Sequence, residues 1–191
     1  MIKFNNIRKS FGDRLVIKNF SLDIKDGEFI AIMGPSGSGK TTLLRIAAGL
    51  ENADSGEISG IPERKAFVFQ EDRLAEDYSV ESNMKMASRK KIPEAEIETH
   101  LEELGLAGEI KTKVRKLSGG MKRRVAIARA ILADADIIFL DEPFKGLDNE
   151  LKKNVMDYVK KYSAGKTVLM VTHDRTEADY MTKHIISLSF Y

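Results

Sequence analysis

The sequence predicts an α/β domain. It has a mostly parallel sheet, an antiparallel β portion near the N-terminus, and a helical subdomain inserted into the core. Three observations predict this. Wholly apolar runs, the mark of strands buried on both faces, recur at Phe29-Ile30-Ala31-Ile32-Met33, Ala66-Phe67-Val68-Phe69, Ile137-Ile138-Phe139-Leu140 and over 167–172. Stretches of helical character separate them, and strands alternating with helices imply parallel pairing. From about 71 to 134 the chain turns polar, charged and mostly helical, as an insertion would.

Each element has a local reason. Over 2–24 apolar and polar residues alternate, and Val16, Phe20, Leu22 and Ile24 give strands with one buried face. Asp26-Gly27 signals a turn before the first wholly apolar strand. A helix is expected over 40–49, with Gly49 as its stop. Asp54-Ser55-Gly56 turns the chain into Glu57-Ile58. Pro93 suits the start of a helix through Leu101 and Leu104, closed by Gly105. Ser118 precedes a helix over 119–133, whose Val125, Ile127, Ala128, Ile131 and Leu132 form an apolar face. Another helix runs over 150–162 with Gly165 as its stop, and a final strand is expected over 185–190. One domain spans 1–191, with its core at 1–70 and 135–191 and the helical subdomain at about 71–134.

Composition narrows the function. The 191 residues are 42% hydrophobic, enough for one proper core, and 31 basic against 29 acidic side chains leave a net charge of only +2. That balance argues against a nucleic-acid partner, for which a strongly basic domain is expected. There are no cysteines, so disulfides and cysteine-held metals are excluded. His100, His173 and His184 are too scattered to read as a zinc site. Met1-Ile2-Lys3-Phe4-Asn5-Asn6 has no signal-peptide core, and no stretch approaches the roughly 18 apolar residues that cross a bilayer. The expectation is a cytoplasmic protein that meets the membrane, if at all, through a partner.

Gly34-Pro35-Ser36-Gly37-Ser38-Gly39-Lys40-Thr41 matches the phosphate-binding loop in full, between an apolar strand and a helix. Its glycines let consecutive N–H groups face one point, backed by a helix N-terminus. Lys40 reaches β- and γ-phosphates in such loops, and the Thr41 hydroxyl ligates Mg²⁺; Thr42 follows within the same site. The fold class becomes a P-loop NTPase core. Asp141-Glu142 directly follow an apolar strand, at the strand end where α/β sheets bind ligands. Asp141 is expected to hold Mg²⁺ and Glu142 to act as general base. Leu117-Ser118-Gly119-Gly120 opens a second helix N-terminus suited to an anion. One nucleotide cannot easily use both ends in one subunit, so Ser118, Gly119 and Gly120 are expected to close over the γ-phosphate held by another copy.

In this order and approximate spacing, the phosphate loop, Gln70, Leu117-Ser118-Gly119-Gly120, Asp141-Glu142, Leu147-Asp148 and His173 resemble the nucleotide-binding domains of ABC transporters over essentially the whole chain. The resemblance implies an ATPase using ATP and Mg²⁺. Its two copies, or one copy and a similar subunit, sandwich ATP and drive a separate integral membrane permease, with a solute-binding protein where the system imports. It places the chain on the inner face of the cell membrane. It makes Gln70 the residue that senses Mg²⁺ and the attacking water, and His173 the switch histidine at the γ-phosphate. Asp148 becomes the aspartate passing between the two sites, and Phe11 the aromatic that stacks on adenine. Gln70-Glu71-Asp72-Arg73-Leu74 with Asp141-Glu142-Pro143-Phe144 resembles the nitrate, sulfonate and taurine importer ATPases in particular.

Two positions depart from the family. Met121 stands where glutamine usual to the signature would be, and Lys145 where a small residue is more usual; both point to slower hydrolysis rather than lost binding. The chain ends soon after His173, so no C-terminal regulatory domain is expected. Arg45, Arg123, Arg124 and Arg129 read mostly as solvated or structural charges; the alternative for Lys122-Arg123-Arg124 is a contribution of positive potential at the γ-phosphate. Two rival functions stay open: an ABC-type ATPase that regulates an assembly without transport, and a small-molecule kinase, which would leave Ser118 to Gly120 and His173 without a role.

Overall fold

The computed structural model describes residues 1–188. The chain opens with β1 (Ile2–Phe11), β2 (Arg14–Ile24), β3 (Phe29–Met33) and α1 (Lys40–Ala48). β4 (Ser55–Ser59) and β5 (Lys65–Val68) lead to α2 (Val80–Ala87), α3 (Glu94–Glu103), a single 3-10 turn (Val114–Lys116) and α4 (Gly119–Leu132). β6 (Ile137–Asp141), α5 (Asn149–Tyr162), β7 (Thr167–Thr172), α6 (Arg175–Met181) and β8 (His184–Ser187) complete it.

The strands form two sheets. The N-terminal one is antiparallel, in the order β2-β1-β4. The second has the order β5-β6-β7-β3-β8, and all its pairings are parallel. The wholly apolar runs are explained by its two covered faces. Ile137 and Phe139 of β6 enter one cluster with Ile30, Ile32, Leu43, Leu44 and the antiparallel sheet. The alternate residues Ile138 and Leu140 enter a second cluster with α2, α3, α4 and α5. The helices between β5 and β6 thus share their apolar cluster with one face of the sheet.

In β1, Ile2, Phe4 and Ile7 are all buried although their spacing breaks the two-residue period. A bulge resolves this: the register shifts between Phe4 and Ile7, and Asn6 takes a left-handed φ of 50°. The predicted stops hold at Gly49, Gly105 and Gly165, all with positive φ. Other boundaries differ. β5 ends at Val68, and Phe69 leaves the ladder to stack on Phe67 at 4.1 Å. β4 begins at Ser55, inside the expected turn. Pro93 is the cap before α3 rather than its first residue. The last strand stops at Ser187, and the end of the strand expected to 190 lies outside the described residues.

Candidate functional site

The C-terminal ends of β3, β6 and β7 lie side by side, and the candidate residues follow directly from them. After β3 the chain curls through residues 34–39 into α1. Gly39 has φ 92°, and a Cβ there would lie 2.8 Å from Val16 Cγ1 and 3.0 Å from Val16 O. Glycine is therefore required twice over, by conformation and by the approach of β2. The Lys40 ammonium donates to the carbonyls of Gly34 (2.7 Å) and Pro35 (2.9 Å), bridging the loop. Burial pushes its pKa below the ordinary lysine value, while Glu142 and Asp141 oppose that shift. The Ser38 hydroxyl is buried inside the loop with no hydrogen-bond partner among the described residues.

Asp141 ends β6, opposite the start of α1, and the Thr41 hydroxyl donates to its Oδ1 at 2.9 Å. Burial raises the Asp141 pKa; the Thr41 hydrogen bond counters this and the Glu142 charge adds to it. Glu142 sits in the left-handed region with φ 47°, its N–H bonded to Val171 O at 3.0 Å. A non-glycine residue held there costs on the order of 1 kcal/mol, and the turn carries its side chain off the strand. His173, just past β7, places Nδ1 2.9 and 2.8 Å from the two Glu142 carboxylate oxygens. The histidine side chain is 55% exposed and the glutamate 13%, so an imidazole open to solvent holds a largely sheltered carboxylate.

These groups share one cleft of about 430 Å³. It contains Phe11, Ser36, Gly37, Gly39, Lys40, Thr41, Thr42, Gln70, Glu142 and His173. Phe11 is 51% exposed, so it belongs to the cleft wall and not to the core. A neighbouring cleft of about 420 Å³ holds Thr41, Gln70 and Asp141. Among the described residues no three His, Cys, Asp or Glu side chains form a metal cage. A hydroxyl, an amide and one carboxylate instead suit a hard cation such as Mg²⁺, which keeps waters and takes phosphate oxygens as its remaining ligands.

Other candidates stay apart. Ser118 caps α4, accepting from Met121 N at 3.3 Å, with Gly119 exposed beside it and Gly120 partly so. Asp148 caps α5, accepting from Leu151 N at 3.0 Å. Neither group borders the two clefts. Gly34 and Pro35 border a separate hollow with Ser36 and His173.

The basic run Lys122-Arg123-Arg124 is engaged within the chain, as the reading of these residues as structural charges expects. Lys122 pairs with Glu76 at 2.6 Å. Arg123, buried, donates to Phe69 O at 2.6 Å and to Gln70 O, and its Nε lies 3.1 Å from Asp72 Oδ1. That ion pair is off the hydrogen-bond direction, and Oδ1 is buried with no hydrogen-bond partner among the described residues. Arg124 donates to Leu104 O and Gly105 O, and Arg129 to Arg73 O and Asp72 O. The arginines of α4 therefore fasten the backbone around Gln70 and the end of α3. The sequence reading also missed Arg14, Val16 and Lys145 as cleft residues. No linear motif contains Arg14 or Val16, and Lys145 was noted only as a departure from the usual pattern.

The family model described as ABC transporter matches residues 17–145. The aliphatic sulfonates import ATP-binding protein SsuB 2 of Pseudomonas savastanoi pv. phaseolicola is 40% identical, over 98% of this chain and 70% of that protein. The spermidine/putrescine import ATP-binding protein PotA of Aggregatibacter actinomycetemcomitans is 38% identical, over 98% of this chain and 55% of that one. A dimeric structure of the ATP-binding cassette MJ0796, in a post-hydrolysis state bound to ADP and Pi, superposes with a TM-score of 0.83 at 32% identity. It covers 98% of this chain and 94% of that one.

Proposed function

Because the chain belongs to the ABC transporter family, we propose that it is the subunit that binds and hydrolyses ATP to energise solute import through a separate membrane permease. The observation that carries this is the convergence of Lys40, Thr41, Glu142 and His173 on one cleft. The N–H groups of the phosphate loop and Lys40 hold the phosphates, and Phe11 stacks on adenine. Thr41, Asp141 and Gln70 hold Mg²⁺, which neutralises charge on the phosphate oxygens when bound. Glu142 takes a proton from the attacking water, and His173 orients that carboxylate.

The site is completed in trans. Ser118, Gly119 and Gly120 present a helix N-terminus that lies outside the chain's own cleft. Two copies, or this chain and a similar subunit, pair so that each N-terminus meets the phosphates on the other, with Asp148 at the seam. Loss of the γ-phosphate removes the contact that holds the pair shut. The relative known as a dimer supports the pairing. No described helix is long and apolar enough to cross a membrane. We place the chain on the cytoplasmic face, docked to its permease by the segment around Gln70 to Met86, where Tyr78 and Met86 are exposed. The permease and a solute-binding protein, rather than this chain, choose the cargo. Relatives of nearly equal likeness are named for sulfonates and for spermidine and putrescine.

The test uses Glu142→Gln. It keeps ATP binding, loses about 10²-fold or more in turnover, the scale of a general base, and elutes as a dimer with Mg·ATP on a sizing column. Undiminished turnover removes Glu142 from its role. An unaltered chain that stays monomeric at high dilution yet hydrolyses ATP at full rate removes the shared site.

A further inference from the structure

The roles above leave two cations of the cleft, Arg14 and Lys145, unused, and only Lys145 also borders the neighbouring pocket. Lys145 borders both clefts, the one built on the phosphate loop and the one holding Thr41, Gln70 and Asp141. It stands in the turn after β6, which is anchored on both sides. Phe144 and Leu147 are buried, Lys145 N–H donates to Glu142 O at 3.2 Å, and Leu147 N–H donates to Phe144 O at 3.3 Å. The residue itself is exposed. Its ammonium has no carboxylate or carbonyl partner among the described residues. By contrast Lys40, the other lysine of the cleft, is tied to the loop carbonyls.

The place of that ammonium decides what it meets. Inner phosphates lie on the loop N–H groups. The terminal phosphoryl group must face Glu142, since that carboxylate has to reach the attacking water. Lys145 borders the same cleft as Glu142 and His173 and also the pocket of Thr41 and Asp141. A compact, strongly hydrated ammonium on a flexible stem gains most from a dense negative charge, and a terminal phosphate is the densest one a nucleotide offers. We propose that Lys145 contacts the γ-phosphate of ATP in its own chain's cleft, as a second lysine beside Lys40, and so favours ATP over ADP.

The inference rests on the ATP-binding reading, and the test separates the two. ATP and ADP affinities are measured by displacement of a fluorescent nucleotide, with protein dilute enough to stay monomeric, for the unaltered chain and for Lys145→Ala, Lys145→Arg and Lys40→Ala. Thermal melts confirm equal folding. Losing one charge-assisted contact, Lys145→Ala should bind ATP roughly tenfold more weakly. Its ADP affinity should change by less than about threefold, as expected for a distant, screened charge. Lys145→Arg keeps the preference for ATP, and Lys40→Ala weakens both nucleotides. Equal weakening of ATP and ADP in Lys145→Ala, or no change in either, overturns the inference while leaving the ATPase reading in place. An unaltered chain that binds neither nucleotide ends both.

Discussion

Arg123→Met tests whether α4 holds the segment that carries Gln70. The Arg123 side chain is 8% exposed; its guanidinium bonds to the carbonyls of Phe69 and Gln70 and stands 3.1 Å from the Asp72 carboxylate. Methionine keeps much of the stem and removes the charge. Hydrogen bonds to a charged group contribute about 1.5–3 kcal/mol each, and breaking a buried ion pair costs about 3–5 kcal/mol. The two are not additive, and water can reach some of the freed carbonyls, so the expected loss is about 3 kcal/mol. Against a total near 10 kcal/mol for a domain of this size, the variant still folds. The melting temperature falls by about 6–12 °C. Burial already raises the Asp72 pKa, and the guanidinium restrains it. Without that restraint the folded-state value climbs further above the unfolded one. That share of the loss is therefore full at neutral pH and fades as pH falls toward the unfolded value of 3.8. Urea denaturation at about pH 5 and pH 7 reads this, and Asp72→Asn in the same background recovers about 1 kcal/mol at neutral pH. A loss under about 1 kcal/mol, or one that grows on acidification, refutes the clamp.

Gly34→Ala would set a Cβ 2.2 Å from Leu188 O and 2.6 Å from Ser38 Oγ. The backbone must shift, costing about 1–3 kcal/mol and weakening nucleotide binding; an unchanged melting temperature counts against this crowding. His173→Ala keeps ATP affinity but slows turnover by about tenfold or more, since Glu142 loses the group that orients it; rates in single-turnover assays decide. His100 is buried against Tyr158, bonded at 2.7 Å, and burial holds its pKa below the usual 6.5 despite Glu96 and Glu103. A histidine that stays neutral when folded lets stability fall as pH drops below 6.5. His100→Asn should flatten that slope in denaturation curves, and an unchanged slope assigns it to other groups.

What the sequence determined by itself is what short segments determine. Residues 34–41 carry their own strand, turn glycines and helix start, so the phosphate loop was legible from spacing. The apolar runs at 29–33 and 137–140 carry the mark of strands covered on both sides, and both faces of β6 are indeed covered. Gly49, Gly105 and Gly165 end helices because the left-handed backbone there excludes most other residues. Tertiary structure alone decided what meets across the fold. The bulge at Asn6 that keeps Ile7 buried depends on pairing with β2 and β4. Arg123 looked like one charge in a basic run, and became a buried clamp only because α4 packs beside the chain leaving β5. Phe11, Arg14 and Lys145 share a cleft with Lys40 although no local pattern links them. Periodicity and turn chemistry act over a few residues, whereas burial, ion pairing and cleft walls depend on which distant segments the sheet order brings together.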